Sequence, residues 1–250
     1  MLELSLVGIG TGNPEHLTLQ AVRVLNQMDA ILIPRKGKRK DELAEVRRGI
    51  LADILDNPAT KIVEFDLPVR NPEIVDYQER VNAWHDEISK IWLSVLQAEV
   101  GTTGKAAFLI WGDPGLYDSS LRIASRLHSQ TPIKIEVVPG ITAIQGLTAS
   151  HNIPLNELAE PFLVTTGRQL KERGWPTDVE TVVVMLDGEN SFQFLTEEKL
   201  SIWWGAYVGM DKEITLSGPL KDMGDQIIEQ RNRAREVNGW VMDIYILRRT

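Results

Sequence analysis

Across the first 138 residues, short apolar runs alternate with stretches of helical periodicity, and this alternation restricts the fold more than any other feature. The runs cover residues 2–7, 29–33, 61–65, 105–111 and 133–138. The fourth run, 105–111, is continuous in apolar character, as a strand buried on both faces is. Thr18 is a good N-cap for a first helix with Leu19, Val22 and Leu25 on one face. Residues 41–55 place Leu43, Val46, Ile50 and Ile54 on an inward face. Asn71-Pro72 reads as a cap with proline in the first turn of a long helix carrying Ile74, Tyr77, Val81, Trp84, Ile88, Ile91 and Val95. Pro34 is expected to stop the second strand, and another helix opens near Ser119.

Strand–helix alternation on this scale implies a parallel α/β sheet. After Pro139-Gly140 the rhythm changes, with strand signals closer together at 162–165, 181–185, 202–208 and 241–247. The expected architecture is α/β with two domains. An N-terminal parallel α/β sheet spans 1–138, and a C-terminal α+β mixed sheet spans 139–250.

Composition removes several function classes. The chain has 250 residues and no cysteine, which excludes disulfides, thiolate metal sites and a cysteine nucleophile. No metal site is expected. No apolar run approaches the roughly 20 residues of a membrane span, and no basic segment precedes an apolar one at the start. A cytoplasmic protein without a membrane partner is the expectation. The formal net charge of -8 argues against nucleic acid as a partner. Positive charge is nevertheless dense at Arg35, Lys36, Lys38, Arg39 and Lys40, with Arg47 and Arg48 close behind. Such a run is either a solvated loop or a holder for a small polyanion.

Three glycine clusters end strands and open helices. Gly8-Ile9-Gly10-Thr11-Gly12-Asn13-Pro14 has neither a dinucleotide fingerprint nor a P-loop lysine, and Pro14 removes an amide. A tight turn explains it as well as a ligand does, and nucleotide phosphate is not expected there. Trp111-Gly112-Asp113-Pro114-Gly115-Leu116-Tyr117-Asp118-Ser119 follows the fourth strand. The carboxyl edge of an open parallel sheet is where ligands bind, although Asp118 or Ser119 capping a helix would also account for it. Val137-Val138-Pro139-Gly140-Ile141-Thr142-Ala143 ends the fifth strand, and strand–helix packing alone could require it.

In this order the three clusters resemble the tetrapyrrole methylase family along essentially the whole chain. Further stretches are similar to its C-1 methyltransferases of corrin synthesis. They are Lys36-Gly37 with Asp41, Leu43 and Arg47; Tyr77 with Val81, Trp84 and His85; 151–156; 165–168; and 204–209 running on to 217–220. The resemblance implies S-adenosylmethionine as cofactor, in a cleft between the two domains. It implies cofactor contacts from Gly112, Asp113, Tyr117, Ile141, Thr142, Ala143, Thr166, Met185 and Tyr207. It also implies a small-molecule tetrapyrrole substrate, a homodimer, and methylation at C-1 with loss of an acetyl group as acetate. Substrate contacts implied here are Asn13, Lys36, Arg39, Arg47, Tyr77 and His85. Met185 could equally fill the core, and a lone histidine such as His85 is commonly structural. Relatives commonly carry Asp where this chain has Asn13, and an amide takes no proton at neutral pH; no general base is assigned. Two alternatives stay open: the same fold acting on another tetrapyrrole or a modified protein histidine, and a non-catalytic cofactor-binding module.

Overall fold

A computed structural model describes residues 1–35, 41–196 and 199–249. The chain divides into two compact units, Met1–Thr142 and Ala143–Thr250. Among the described residues no helix is long and apolar enough to cross a membrane.

The first unit holds strands β1 (Leu2–Gly8), β2 (Ala30–Arg35), β3 (Lys61–Asp66), β4 (Lys105–Ile110) and β5 (Ile133–Val138). They form one sheet in the order β3-β2-β4-β1-β5, with every pairing parallel. Helices cover both faces, as a parallel sheet requires. Side chains alternate along each strand, so Leu4 and Leu6 join one core while Val7 joins the other. The first core packs under α3 (Tyr77–Val100) and α4 (Ser120–His128), where Trp92 stacks on Phe108 with ring centroids 3.9 Å apart. The opposite core packs under α1 (Leu19–Leu25) and α2 (Asp41–Ile54).

This order creates a switch point. β1 and β4 are neighbours, yet the chain leaves β1 through α1 toward β2 and leaves β4 through α4 toward β5. The two helices lie on opposite faces, so the connections part at the carboxyl ends of β1 and β4, the position at which open parallel sheets bind ligands.

The second unit places α5 (Ala143–His151), α6 (Gly167–Arg173) and α7 (Leu220–Asn238) with β6 (Phe162–Thr166), β7 (Thr181–Met185), β8 (Leu200–Ala206), β9 (Ile214–Pro219) and β10 (Asp243–Arg249). The sheet order is β6-β7-β10-β8-β9, parallel only between β6 and β7. Its core carries a polar knot. Arg231 Nε donates to Asp243 Oδ2 at 2.8 Å, and Trp204 Nε1 donates to the same oxygen at 3.0 Å. Arg231 Nη2 donates to the carbonyl of Asp187, and Tyr245 Oη donates to the Asp187 carboxylate. Burial, followed by the Asp187 charge, holds the Tyr245 phenol well above its usual range.

Several local expectations needed revision. Thr18 does cap α1, accepting from Ala21 N–H, but Leu19 is 87% exposed and the buried positions are Ala21, Val24 and Leu25. Among the described residues of α2, Ala44, Arg47, Ile50 and Leu51 are buried. Pro34 lies within β2, beyond the last residue paired to β4, where its missing N–H breaks no β4 bond. α3 starts at Tyr77 behind the cap Asp76, which accepts from Glu79 N–H. The Asn71-Pro72 signal is an Asx turn, with Asn71 Oδ1 accepting from Glu73 N–H. Ile74 therefore lies outside the helix, whose buried face is His85, Ile88, Ser89, Trp92 and Leu96.

Removing one partner of a buried ion pair strands the other. Asp243→Ala is expected to lower the unfolding free energy by about 3–5 kcal/mol, read from denaturant titration. Exposed Asp222→Ala should leave it nearly unchanged.

Candidate functional site

Three strand ends meet as bare backbone at the switch point. A Cβ on Gly8 would lie 2.7 Å from both the Gly112 carbonyl oxygen and Gly140 N, and one on Gly140 would overlap that same oxygen. No side chain fits at either position. Gly112 N–H donates to the Gly10 carbonyl at 2.8 Å, joining the first glycine loop to the second. Gly10 and Gly112 take φ of +72° and +60°, which glycine adopts without strain.

Asp113 locks the arrangement. Its Oδ1 accepts from Gly115 N–H at 2.7 Å, and its Oδ2 accepts from Gly140 N–H at 3.0 Å. One carboxylate thus shapes its own loop and ties it to the end of β5. A carboxylate offers about four acceptor sites, so Asp113 keeps capacity for a ligand. Tyr117, further along the same loop, is 44% exposed and at φ +50°. A bulky residue there is an outlier of the kind that gathers at ligand sites. Ile141 and Thr142 are half-buried beside Gly112, with Thr142 Cα 3.5 Å from a Cβ built on it, and Ala143, also half-buried, opens α5. Asp118 Oδ1 caps α4 through Ser120 N–H at 2.6 Å, whereas Ser119 makes no side-chain cap.

In the second unit Thr166 and Met185 stand opposite each other in the β6–β7 ladder. Thr166 caps α6 through Gln169 N–H at 3.4 Å. Leu186, missed in the sequence, follows Met185 at φ +53° and is 66% exposed. Asp187 anchors this turn by accepting from Glu189 N–H and from Ser191 through both N–H and Oγ. Tyr207 is different. Its ring is buried, and its hydroxyl donates to the Trp240 carbonyl with that of Ala234 also at 3.2 Å. The phenol serves the core, so any role for Tyr207 at a ligand falls to its backbone.

The residues implied for substrate separate. Lys36 and Arg39 lie outside the described residues. Arg35 pairs with Glu64 and Asp66. Arg47 is buried, stacked 5.0 Å from the centre of the Trp111 ring, and donates to the carbonyls of Leu109 and Leu43. Burial lowers its guanidinium to about 10, with the Asp118 charge opposing that shift. Arg47 therefore holds the end of β4 instead of offering a free cation. Asn13 spends its Oδ1 on Glu15 N–H, shaping the 3-10 turn Pro14–His16. Tyr77 opens α3 and is exposed. His85 is buried, and its Nε2 has no partner among the described residues. Arg70 and Arg122, unremarked in the sequence, are exposed cations close enough to act on His85.

The family description "Tetrapyrrole (Corrin/Porphyrin) Methylases" matches residues 3–224. The chain is 47% identical over 251 residues to a precorrin-6A synthase [deacetylating] from Sinorhizobium sp, covering 100% of this chain and 96% of that one. A crystal structure of a cobalamin synthesis related protein (CobF) from Corynebacterium diphtheriae superposes with a TM-score of 0.85 at 37% identity, covering 100% and 99% of the two chains. The uroporphyrin-III C-methyl transferase of Thermus thermophilus complexed with S-adenyl homocysteine gives a TM-score of 0.60 at 21% identity over 98% and 96%, a likeness of fold.

The histidine yields a test. Burial first, then Arg126, Arg122 and Arg70, lower the His85 pKa, with Asp86 opposing them. Below an unfolded-state value near 6.5 the unfolded chain binds more protons, so stability present above that pH is lost as pH falls toward the folded value. Denaturation midpoints should drop on acidification below about pH 6.5. His85→Phe should flatten that part of the dependence, by at most about 1.4 kcal/mol per pH unit for one proton.

Proposed function

The chain belongs to the tetrapyrrole (corrin/porphyrin) methylases, and we propose that it transfers the methyl group of S-adenosylmethionine to C-1 of precorrin-5. The acetyl group leaves as acetate and the product is precorrin-6A. What carries the reading is the meeting of three glycine-bearing strand ends at the switch point of a parallel sheet, in a chain similar throughout its length to a precorrin-6A synthase.

The residues at this edge suit that cofactor. Gly8, Gly112 and Gly140 form a wall of backbone without side chains, and the glycine loops contain no lysine for a phosphate. Trp111 Nε1 is a buried donor with no partner among the described residues. When bound, the cofactor supplies an electrophilic methyl group on a sulfonium. The chain's part is to hold the two reactants in line, and alignment of this kind can supply roughly 7–11 kcal/mol. We assign cofactor contacts to Gly112, Asp113, Tyr117, Ile141, Thr142, Ala143, Thr166 and Met185, with the backbone of Tyr207. Tyr77 lies on the substrate side of the reading, joined by Arg70 and Arg122 as cations for the tetrapyrrole's carboxylates. We also take the protein to be a cytoplasmic homodimer. The absence of cysteine supports the first, and exposed Phe162 and Leu163 on edge strand β6 support the second.

Mass spectrometry of the product from purified protein, S-adenosylmethionine and precorrin-5 tests the reaction. The expected product has gained a methyl group and lost the acetyl group, with acetate in solution. A methylated product that keeps its acetyl group, or no product, would contradict it.

A further inference from the structure

The first glycine loop carries a side-chain pair that cofactor binding leaves unused. Thr11 is buried, and its Oγ1 lies 2.7 Å from Nδ1 of His16. Both residues follow β1 at the switch point. A Cβ on Gly10 would meet His16 Cβ at 2.8 Å, so the histidine rests on bare backbone. The Gly10 carbonyl in turn accepts from Gly112 N–H. His16 is therefore anchored to the same main chain as the loop assigned to the cofactor. From the other side His16 N–H donates to the Asn13 carbonyl at 3.0 Å.

Nδ1 is the partner that the Thr11 hydroxyl finds among the described residues. When that hydroxyl donates, Nδ1 is the acceptor and the ring proton sits on Nε2. Half-buried His16 then presents an Nε2–H whose partner is not supplied by the described residues.

We propose that His16, oriented by Thr11, is a catalytic residue for removal of the acetyl group, its Nε2–H donating to the acetyl carbonyl oxygen. The proposal rests on the C-1 reading above. Water adds through its oxygen to the acetyl carbon, and the C=O π pair moves onto the carbonyl oxygen. A donor fixed in advance at the oxygen that gains charge stabilises this step. The oxyanion collapses, the bond between the acetyl carbon and C-1 breaks, and its electron pair passes to C-1. C-1 forms its new bond to the methyl group with that pair as the methyl–sulfur bond of S-adenosylmethionine breaks and its pair stays on sulfur, acetic acid leaves, and the second proton of the water goes to solvent. An amide at Asn13, where a carboxylate would add negative charge to the same turn, suits an oxyanion nearby.

The test uses the full chain, S-adenosylmethionine and the acetyl-bearing substrate in rapid-quench assays of acetate release, with S-adenosylhomocysteine affinity measured alongside. His16→Phe should slow acetate release by about 100-fold or more while cofactor affinity stays unchanged. His16→Gln keeps a donor and should recover part of the rate. Thr11→Val should slow release, Thr11→Ser should restore it, and Asn13→Asp should slow it. A structural histidine would instead lose affinity and stability together, with His16→Gln no better than His16→Phe, and that result overturns the proposal. So does a His16→Phe variant near the wild-type rate when the wild type releases acetate. A wild-type chain that releases none overturns the C-1 reading, and this proposal with it.

Discussion

The carboxylate of Asp113 is the interaction on which the first unit's site depends. Glycine at 8, 112 and 140 lets three strand ends approach to backbone contact, but close approach alone does not fix loops. Asp113 does so by accepting from Gly115 and Gly140 at once. Each bond involves a charged acceptor, the stronger class of hydrogen bond. Losing that carboxylate would free two amides and both loops together. Arg47 supports the same edge from beneath, through the Leu109 carbonyl and the Trp111 ring.

The second unit repeats this device with a different residue. Asp187 gathers four donors, from Glu189, two groups of Ser191 and Tyr245, and its side chain fills the space a Cβ on Gly167 would need. The strand end that exposes Leu186 is thereby tied to the buried Arg231–Asp243 pair through the Asp187 carbonyl. In each unit an aspartate just past a strand end positions exposed backbone. Rigid support beneath an exposed loop is what a site needs to hold a ligand without reorganising.

Much of the fold was legible because its signals are local. Short apolar-rich runs alternating with helical periodicity marked the parallel strands, and Thr18 marked its helix by capping chemistry. The errors arose where one local signal has two structural meanings. Asn71-Pro72 has the composition of a helix start but makes an Asx turn, held against α3 by Trp84 Nε1 donating to the Pro68 carbonyl. β9 was missed because its half-buried residues alternate with exposed Thr215, Ser217 and Pro219 at a sheet edge. Glycine clusters at strand ends showed where a site could form. The sequence could not show that Asp113 reaches Gly140, 27 positions away, or that Arg47 is buried while Arg70 and Arg122 are exposed. Thr11 and His16 stood within a recognised motif, yet only their 2.7 Å contact separates them from an ordinary turn.

We assign the Asp113-locked backbone as the cofactor platform. Isothermal calorimetry of S-adenosylhomocysteine against the wild type and Asp113→Ala tests it most directly. The account predicts one site per chain in the wild type. In Asp113→Ala, which leaves the strands and their cores intact, it predicts a loss of at least about 1.5–3 kcal/mol, roughly 10- to 100-fold in affinity. Wild-type affinity in a folded Asp113→Ala variant would contradict it.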